Sequence, residues 1–253
     1  MTSTELPTEL SAELPPHVPS GEPEATVGGG TRGRAGVFIS FEGGDGVGKS
    51  TQLRLLGEWL RAAGHEVVAT REPGGTELGV ELRNAVLHGD HVSARTEALL
   101  YATDRAHHVD TVVRPALDRG AVVLTDRYLD SSVAYQGNGR DLGADEVERL
   151  SLWATEGLLP QLTVLLDLDP TVGLTRLTGS PDRLESAGAE FHARTRQAFL
   201  DRAASGGERW LVLDASGSVA DLQAAVRARV APLLGLTADL AAGDDAAPAE
   251  ASR

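Results

Sequence analysis

Val37-Phe38-Ile39-Ser40-Phe41-Glu42-Gly43-Gly44-Asp45-Gly46-Val47-Gly48-Lys49-Ser50-Thr51 decides how this chain folds. The apolar run from Val37 to Phe41 reads as a buried strand. It leads into Gly43-x-x-x-x-Gly48-Lys49-Ser50, and the segment after it sets Leu53, Leu56 and Leu60 on one helical face. Strand, glycine-rich loop and helix in that order are the context in which such a loop cradles phosphates. Its glycines let backbone N–H groups turn inward, and the positive end of the helix adds to the field. The expected phosphate-binding run is Gly43, Gly44, Asp45, Gly46, Val47, Gly48, Lys49, Ser50 and Thr51. Lys49 supplies charge for the β- and γ-phosphates, and the Ser50 hydroxyl is placed to hold Mg²⁺. This predicts a nucleoside-triphosphate site, ATP or GTP, and leaves the reaction open.

Outward from the loop, composition narrows the classes. The chain has 253 residues, 41% of them apolar, enough for one large α/β domain or two small ones. It lacks an apolar run long enough to span a membrane, and its Pro-broken, acidic start does not look like a signal peptide. The absence of cysteine removes disulfides and thiolate metal sites and fits a cytoplasmic protein. A formal charge of −14 argues against nucleic acid as a partner, so a polyanionic substrate must be held by local Arg and Lys groups.

Strand-like and helix-like segments alternate between residues 35 and 235. The strand candidates are 37–41, 66–70, 121–125, 162–168 and 210–213. Asp145-x-x-Glu148 reads as a capping-box start, and Asp169-Pro170 as a cap before a Pro at the first helical position. Continuous apolar strands alternating with helices predict a five-stranded parallel sheet covered on both faces, in one doubly wound α/β domain. Residues 1–34 and 236–253 are poor in aromatics and rich in polar residues, Pro and Ala, and are expected to be disordered tails.

Among classes that share such a loop, a switch GTPase needs an Asn-Lys-x-Asp segment, which is absent here, and motor ATPases are usually longer. A small-molecule kinase needs a second cluster of anion-binding groups. Asp126 ends an apolar run at a strand's carboxyl edge, where it can orient Mg²⁺, and Arg127 follows with a planar fork suited to phosphate. The pair also fits an ordinary strand end. Asp167 is a competing Mg²⁺ candidate with no Arg after it. Arg71-Glu72-Pro73-Gly74-Gly75-Thr76 offers a tight loop and Arg71 as a phosphate contact. Tyr101 and Arg105, four apart, share a helical face and can stack on and read a base. The same spacing fits a core tyrosine beside a surface arginine. Asp45 is unwelcome beside phosphates unless it accepts from a sugar hydroxyl or holds a Mg²⁺-bound water. His107 and His108 diverge on their helix and suit no metal; all seven histidines are taken as incidental.

Phe-Glu-Gly-Gly-Asp-Gly-Val-Gly-Lys-Ser-Thr, Arg-Glu-Pro-Gly-Gly-Thr, Asp-Arg-Tyr and Ser131-Ser132-Val133-Ala134-Tyr135-Gln136-Gly137, taken in order, resemble the thymidylate kinases of the bacterial type over about residues 37–234. The resemblance implies the P-loop NTPase fold of nucleoside monophosphate kinases. It also implies transfer of the γ-phosphoryl of ATP to thymidine monophosphate (dTMP) with Mg²⁺, for dTTP synthesis, by a cytoplasmic homodimer. Residue by residue it puts Lys49 and the loop amides on ATP, and Ser50 and Asp126 on the metal. Arg127 falls on the acceptor phosphate, Asp45 on the acceptor sugar, Tyr101 on the thymine face and Arg105 on its edge. Ser132, Tyr135 and Gln136 wall the acceptor, and Arg71 adds a phosphate contact. Family members with a glycine where Gly46 stands supply transition-state arginines from a lid. Here the lid is a short segment, about 176–188, offering Arg176 and Arg183, with Asp182 and Glu185 at its acidic positions. Another nucleoside monophosphate or deoxynucleoside kinase is the alternative, and a nucleotide-binding module without transfer activity is a more distant one.

Overall fold

Alternate residues of the first strand face opposite layers, and both layers are apolar. Ile39 and Phe41 pack with Leu56 and Leu60 of the first helix and Val226 and Val230 of the last, while Phe38 packs on the other side with Val113, Tyr128 and Val133. A strand buried on both faces is the signature of a parallel sheet. The computed structural model, which describes residues 35–177 and 182–236, shows that sheet. Its strands are β1 (Val37–Glu42), β2 (Val67–Arg71), β3 (Val122–Asp126), β4 (Leu162–Asp167) and β5 (Trp210–Asp214). All pair in parallel in the order β2-β3-β1-β4-β5. Each of the five expected strands is present, within one residue of its expected bounds at either end. The expected tails lie outside the described residues, except Leu236, which packs on the first-helix side of the core.

The helices that frame the site are α1 (Lys49–Ala62), α2 (Glu77–His88) and α3 (Ala94–His108). α3 runs on through wide π-type turns at Val109–Val113 into α4 (Arg114–Asp118), and α5 (Leu129–Ser132) continues the same way through Val133–Gly139. Then come α6 (Ala144–Ala154), α7 (Pro170–Thr175), α8 (Ala189–Ser205) and α9 (Val219–Leu233). Asp169 caps α7 as expected, accepting from the Thr171 N–H at 2.8 Å with Pro170 at the first helical position. The capping box expected at Asp145 does not form. Gly143, at φ 90°, caps α6 through its backbone, Asp145 lies inside the first turn, and Glu148 pairs with Arg202. A left-handed cap favours glycine over any side chain there, so the turn chemistry decided the start.

Because β1 lies between β3 and β4 while its chain neighbour β2 lies beyond β3, the loops leaving the carboxyl ends of β1 and β3 splay apart. That crevice is where ligands bind in open α/β sheets.

Candidate active site

The phosphate loop leaves β1 at Glu42 and ends at Gly48, whose φ of 99° turns the chain into α1. Gly43 takes its glycine for space as well, since a Cβ there would lie 2.4 Å from the Leu166 carbonyl oxygen. The Lys49 Nζ is turned back onto the loop, donating to the carbonyls of Gly44 at 2.6 Å and Gly43 at 3.3 Å. Burial, and then the charge of Arg127, lower its pKa. Val47 faces away, into the core. The Ser50 hydroxyl donates to Asp126 Oδ2 at 2.8 Å. A hydroxyl and one carboxylate are a hard-oxygen donor set that fits Mg²⁺, which usually keeps waters and substrate phosphates as its other ligands. Asp167, the competing candidate, is held by a bidentate pair with Arg196 at 2.7 and 2.8 Å, which ties up its oxygens.

Arg127 lies at the centre. Its φ of 72° is a left-handed conformation costly for a residue with a Cβ, and it persists because the surroundings fix it. Its N–H donates to the Phe41 carbonyl at 2.9 Å, its carbonyl accepts from Thr125 Oγ1 at 2.9 Å, and the next N–H, of Tyr128, donates to Glu42 at 2.8 Å. So turned, the guanidinium reaches back to the phosphate loop. It donates to the Gly43 carbonyl at 2.9 Å and to Asp45, Ser131 and Tyr135, and lies 5.0 Å from the Tyr135 ring centroid. Burial works against an ionised Asp45, but Arg127 and then Lys49 outweigh it and bring the carboxyl down to about 2. The Tyr135 hydroxyl, raised well above its usual pKa by burial, donates to the same carboxylate at 3.2 Å.

Two cavities meet at this pair. The first, a narrow one, is lined by Asp45, Glu72, Arg83, Tyr101, Arg105, Arg127, Ser132, Tyr135, Gln136 and Asp182, with Leu87 and Leu184 as apolar walls. The second, larger and more open, is lined by Asp45, Gly46, Gly48, Lys49, Ser50, Thr51, Arg71, Glu72, Arg83, Asp126, Arg127 and Arg176. Asp45, Glu72, Arg83 and Arg127 line both. Every acceptor-side residue expected from the sequence therefore gathers at the first cavity except Glu185 and Arg71, and Arg71 lines the second.

Tyr101 and Arg105 do share a face of α3, yet Arg105 is not a surface group. It is 1% exposed, and its guanidinium donates to Glu72 at 2.7 Å, Ser132 at 3.0 Å, and Ser151 and the Tyr128 carbonyl at 3.3 Å. Most of its five N–H groups are thus already engaged by protein. His108, taken as incidental, bridges Glu72 at 2.8 Å and Thr70 at 2.7 Å in the same buried network. Gln136 donates to Glu97 at 2.9 Å.

The lid sorts its residues unequally; residues 178–181 lie outside those described. Arg176 points to the phosphate cavity. Arg183 does not: it pairs with Glu97 at 3.1 Å, so the structure gives that arginine to the acceptor wall rather than to the transferring phosphoryl. Asp182 accepts from the N–H groups of Leu184 and Glu185, and Glu185 reaches back to the Asp182 N–H at 2.9 Å. This reciprocal capping box spends Glu185 on the turn.

The sequence reading missed Glu42, Glu72, Arg83 and Glu97. The first two stand inside quoted motifs, beside residues whose chemistry drew the attention. Arg83 lies on α2, donates to the Pro73 carbonyl at 3.1 Å and joins the two cavities; burial and Arg71 lower its pKa, but a guanidinium remains charged. No sequence pattern singled it out.

A phosphate loop at the switch point of a parallel sheet, facing a second basic cavity across one shared arginine, defines a P-loop kinase of nucleoside phosphates. The sequence profile of thymidylate kinase matches residues 41–226. The chain is 64% identical over 203 residues to the thymidylate kinase of Clavibacter michiganensis subsp. michiganensis, covering 79% of this chain and 96% of that protein. Against the thymidylate kinase of Deinococcus radiodurans it is 52% identical over 198 residues, covering 77% and 96%. The crystal structure of thymidylate kinase from Ehrlichia chaffeensis superimposes with a TM-score of 0.61 at 31% identity, covering 71% of this chain and 93% of that one. The chain belongs to the thymidylate kinase family.

Proposed function

We propose that this protein moves the γ-phosphoryl group of ATP to the phosphate of dTMP, making dTDP for dTTP synthesis. The observation that carries the reading is the shared wall: Arg127 and Asp45 face the phosphate loop on one side and an aromatic, hydrogen-bonding cavity on the other. The kinship with thymidylate kinases supports the choice of base and donor.

Transfer asks mainly for alignment and charge neutralisation. The acceptor phosphate has a second pKa of about 6, so its oxygen is already a nucleophile at neutral pH and needs no general base. Arg127 binds that phosphate when its guanidinium exchanges part of its bond to Asp45 for the ligand, and Asp45 then faces the sugar. Arg83 and Arg71 add positive charge on the donor side. Lys49 leaves the loop carbonyls for the donor phosphates, and Arg176 meets the charge that develops in transfer. Ser50 and Asp126 would hold Mg²⁺, which supplies neutralisation of the donor phosphate oxygens. Tyr101 packs against the base, with Gln136, Ser132 and the remaining Arg105 N–H at its edges.

The protein acts in the cytoplasm as a homodimer in this reading. No helix among the described residues is long and apolar enough to cross a membrane, and the packed pair α3 and α6 exposes Leu99 and Trp153. Single turnover tests the transfer itself. With ATP, Mg²⁺ and dTMP all bound, dTDP must form; binding of both nucleotides without dTDP would make the protein a nucleotide-dependent module instead.

A further inference from the structure

Gly173 sits inside α7, a helix of only six residues, where glycine costs roughly 1 kcal/mol against alanine. Its reason is close approach. A Cβ on Gly173 would lie 2.4 Å from the Asp45 carbonyl oxygen, and a Cβ on Gly46 would lie 2.0 Å from the Gly173 carbonyl oxygen. The two glycines let α7 rest, backbone against backbone, on the phosphate loop. The same Gly173 carbonyl accepts the N–H of Arg176 at 3.0 Å. One carbonyl therefore touches the loop and fixes the start of the residue that lines the phosphate cavity beside Lys49 and Ser50.

We propose that Gly173 is a positioning residue: the Gly46–Gly173 contact seats the end of α7 on the phosphate loop and so sets the reach of Arg176. The inference rests on the phosphoryl-transfer reading above. Gly46 thus has two consequences. It puts no side chain at that point of the loop, and it makes the seat from which the lid arginine is delivered.

The test is a kinetic cycle on the full chain with Gly173→Ala, Arg176→Ala and the double variant. Gly173→Ala is expected to lower kcat by about ten- to a hundredfold, the cost of misplacing a catalytic group by about an ångström. KM for dTMP should stay within a few-fold, and the double variant should be no slower than Arg176→Ala alone. If Gly173→Ala slows the Arg176→Ala protein by the same factor as it slows the wild type, the two act independently and the proposal falls. Hydrogen exchange gives a second reading that needs no turnover and no substitution at Gly173. In the Arg176→Ala protein, a non-hydrolysable ATP analogue with Mg²⁺ should still slow exchange across residues 170–175, through the backbone contact. No slowing there overturns the proposal even if Gly173→Ala fails to fold. A wild type inactive on dTMP would instead overturn the functional reading, and the exchange measurement would still decide this one.

Discussion

Glu42 carries the support of Arg127 in a fully buried carboxyl. It accepts from the Tyr128 N–H at 2.8 Å and the Ser131 hydroxyl at 2.6 Å. Burial first, and Asp130 second, raise its pKa to about 8 from an ordinary 4.5. In the unfolded chain the same group ionises near the ordinary value. Between those values the native state holds more protons than the unfolded one, so stability falls as pH rises and levels off above about 8. Glu42→Gln cannot ionise and should flatten that fall. From about pH 5 to pH 8 the wild type should lose more than about 1 kcal/mol relative to the variant in denaturant unfolding. Equal losses contradict the assignment. Arg105 gives a second prediction. Truncating it to Ala takes the guanidinium from the buried Glu72 carboxyl and leaves it to His108, at a cost of about 3–5 kcal/mol in unfolding free energy. A variant as stable as wild type would contradict that role for Arg105. At this scale motif and strand edge bring Lys49, Ser50, Asp126 and Arg127 forward in the sequence, and the structure sets the four around one cavity. It could not show that Arg105 is walled in by Glu72, Ser132 and Ser151, since those partners come from three distant segments.

The lid is the element whose residues most needed the structure. Spacing offered Arg176 and Arg183 on equal terms. The end of α7 delivers the first to the phosphate cavity, while the capping box of Asp182 and Glu185 turns the second toward Glu97. Arg176→Ala is therefore expected to lower kcat by about a hundred- to a thousandfold, as loss of one preorganised charge donor does elsewhere. Arg183→Ala loosens Glu97, which holds Gln136 at the acceptor wall, so it should raise KM for dTMP and leave kcat within a few-fold. Steady-state kinetics on the two variants separates them; a kcat loss in Arg183→Ala equal to that in Arg176→Ala would contradict the division. Direction of this kind is set by a turn and by pairing across the fold, and neither is legible in a short segment read alone.

Across the whole molecule the sheet was legible, because apolar runs buried on both faces leave little choice but a parallel α/β arrangement. Strand order was not legible, because placing β1 between β3 and β4 depends on which crossover packs where. The quaternary state belongs to this scale too. Trp153 is 81% exposed on α6, and if that face joins two subunits, sedimentation should give twice the mass of the chain for the wild type and a single chain for Trp153→Glu. A monomeric wild type at the concentrations used for assay contradicts the dimer. Choice of acceptor is also a property of the whole molecule. ADP release measured with ATP and Mg²⁺ across dTMP, dUMP, UMP, CMP and AMP addresses it most directly. The highest kcat/KM is expected for dTMP; turnover of UMP, CMP or AMP equal to or better than that of dTMP would contradict selection of dTMP as the acceptor.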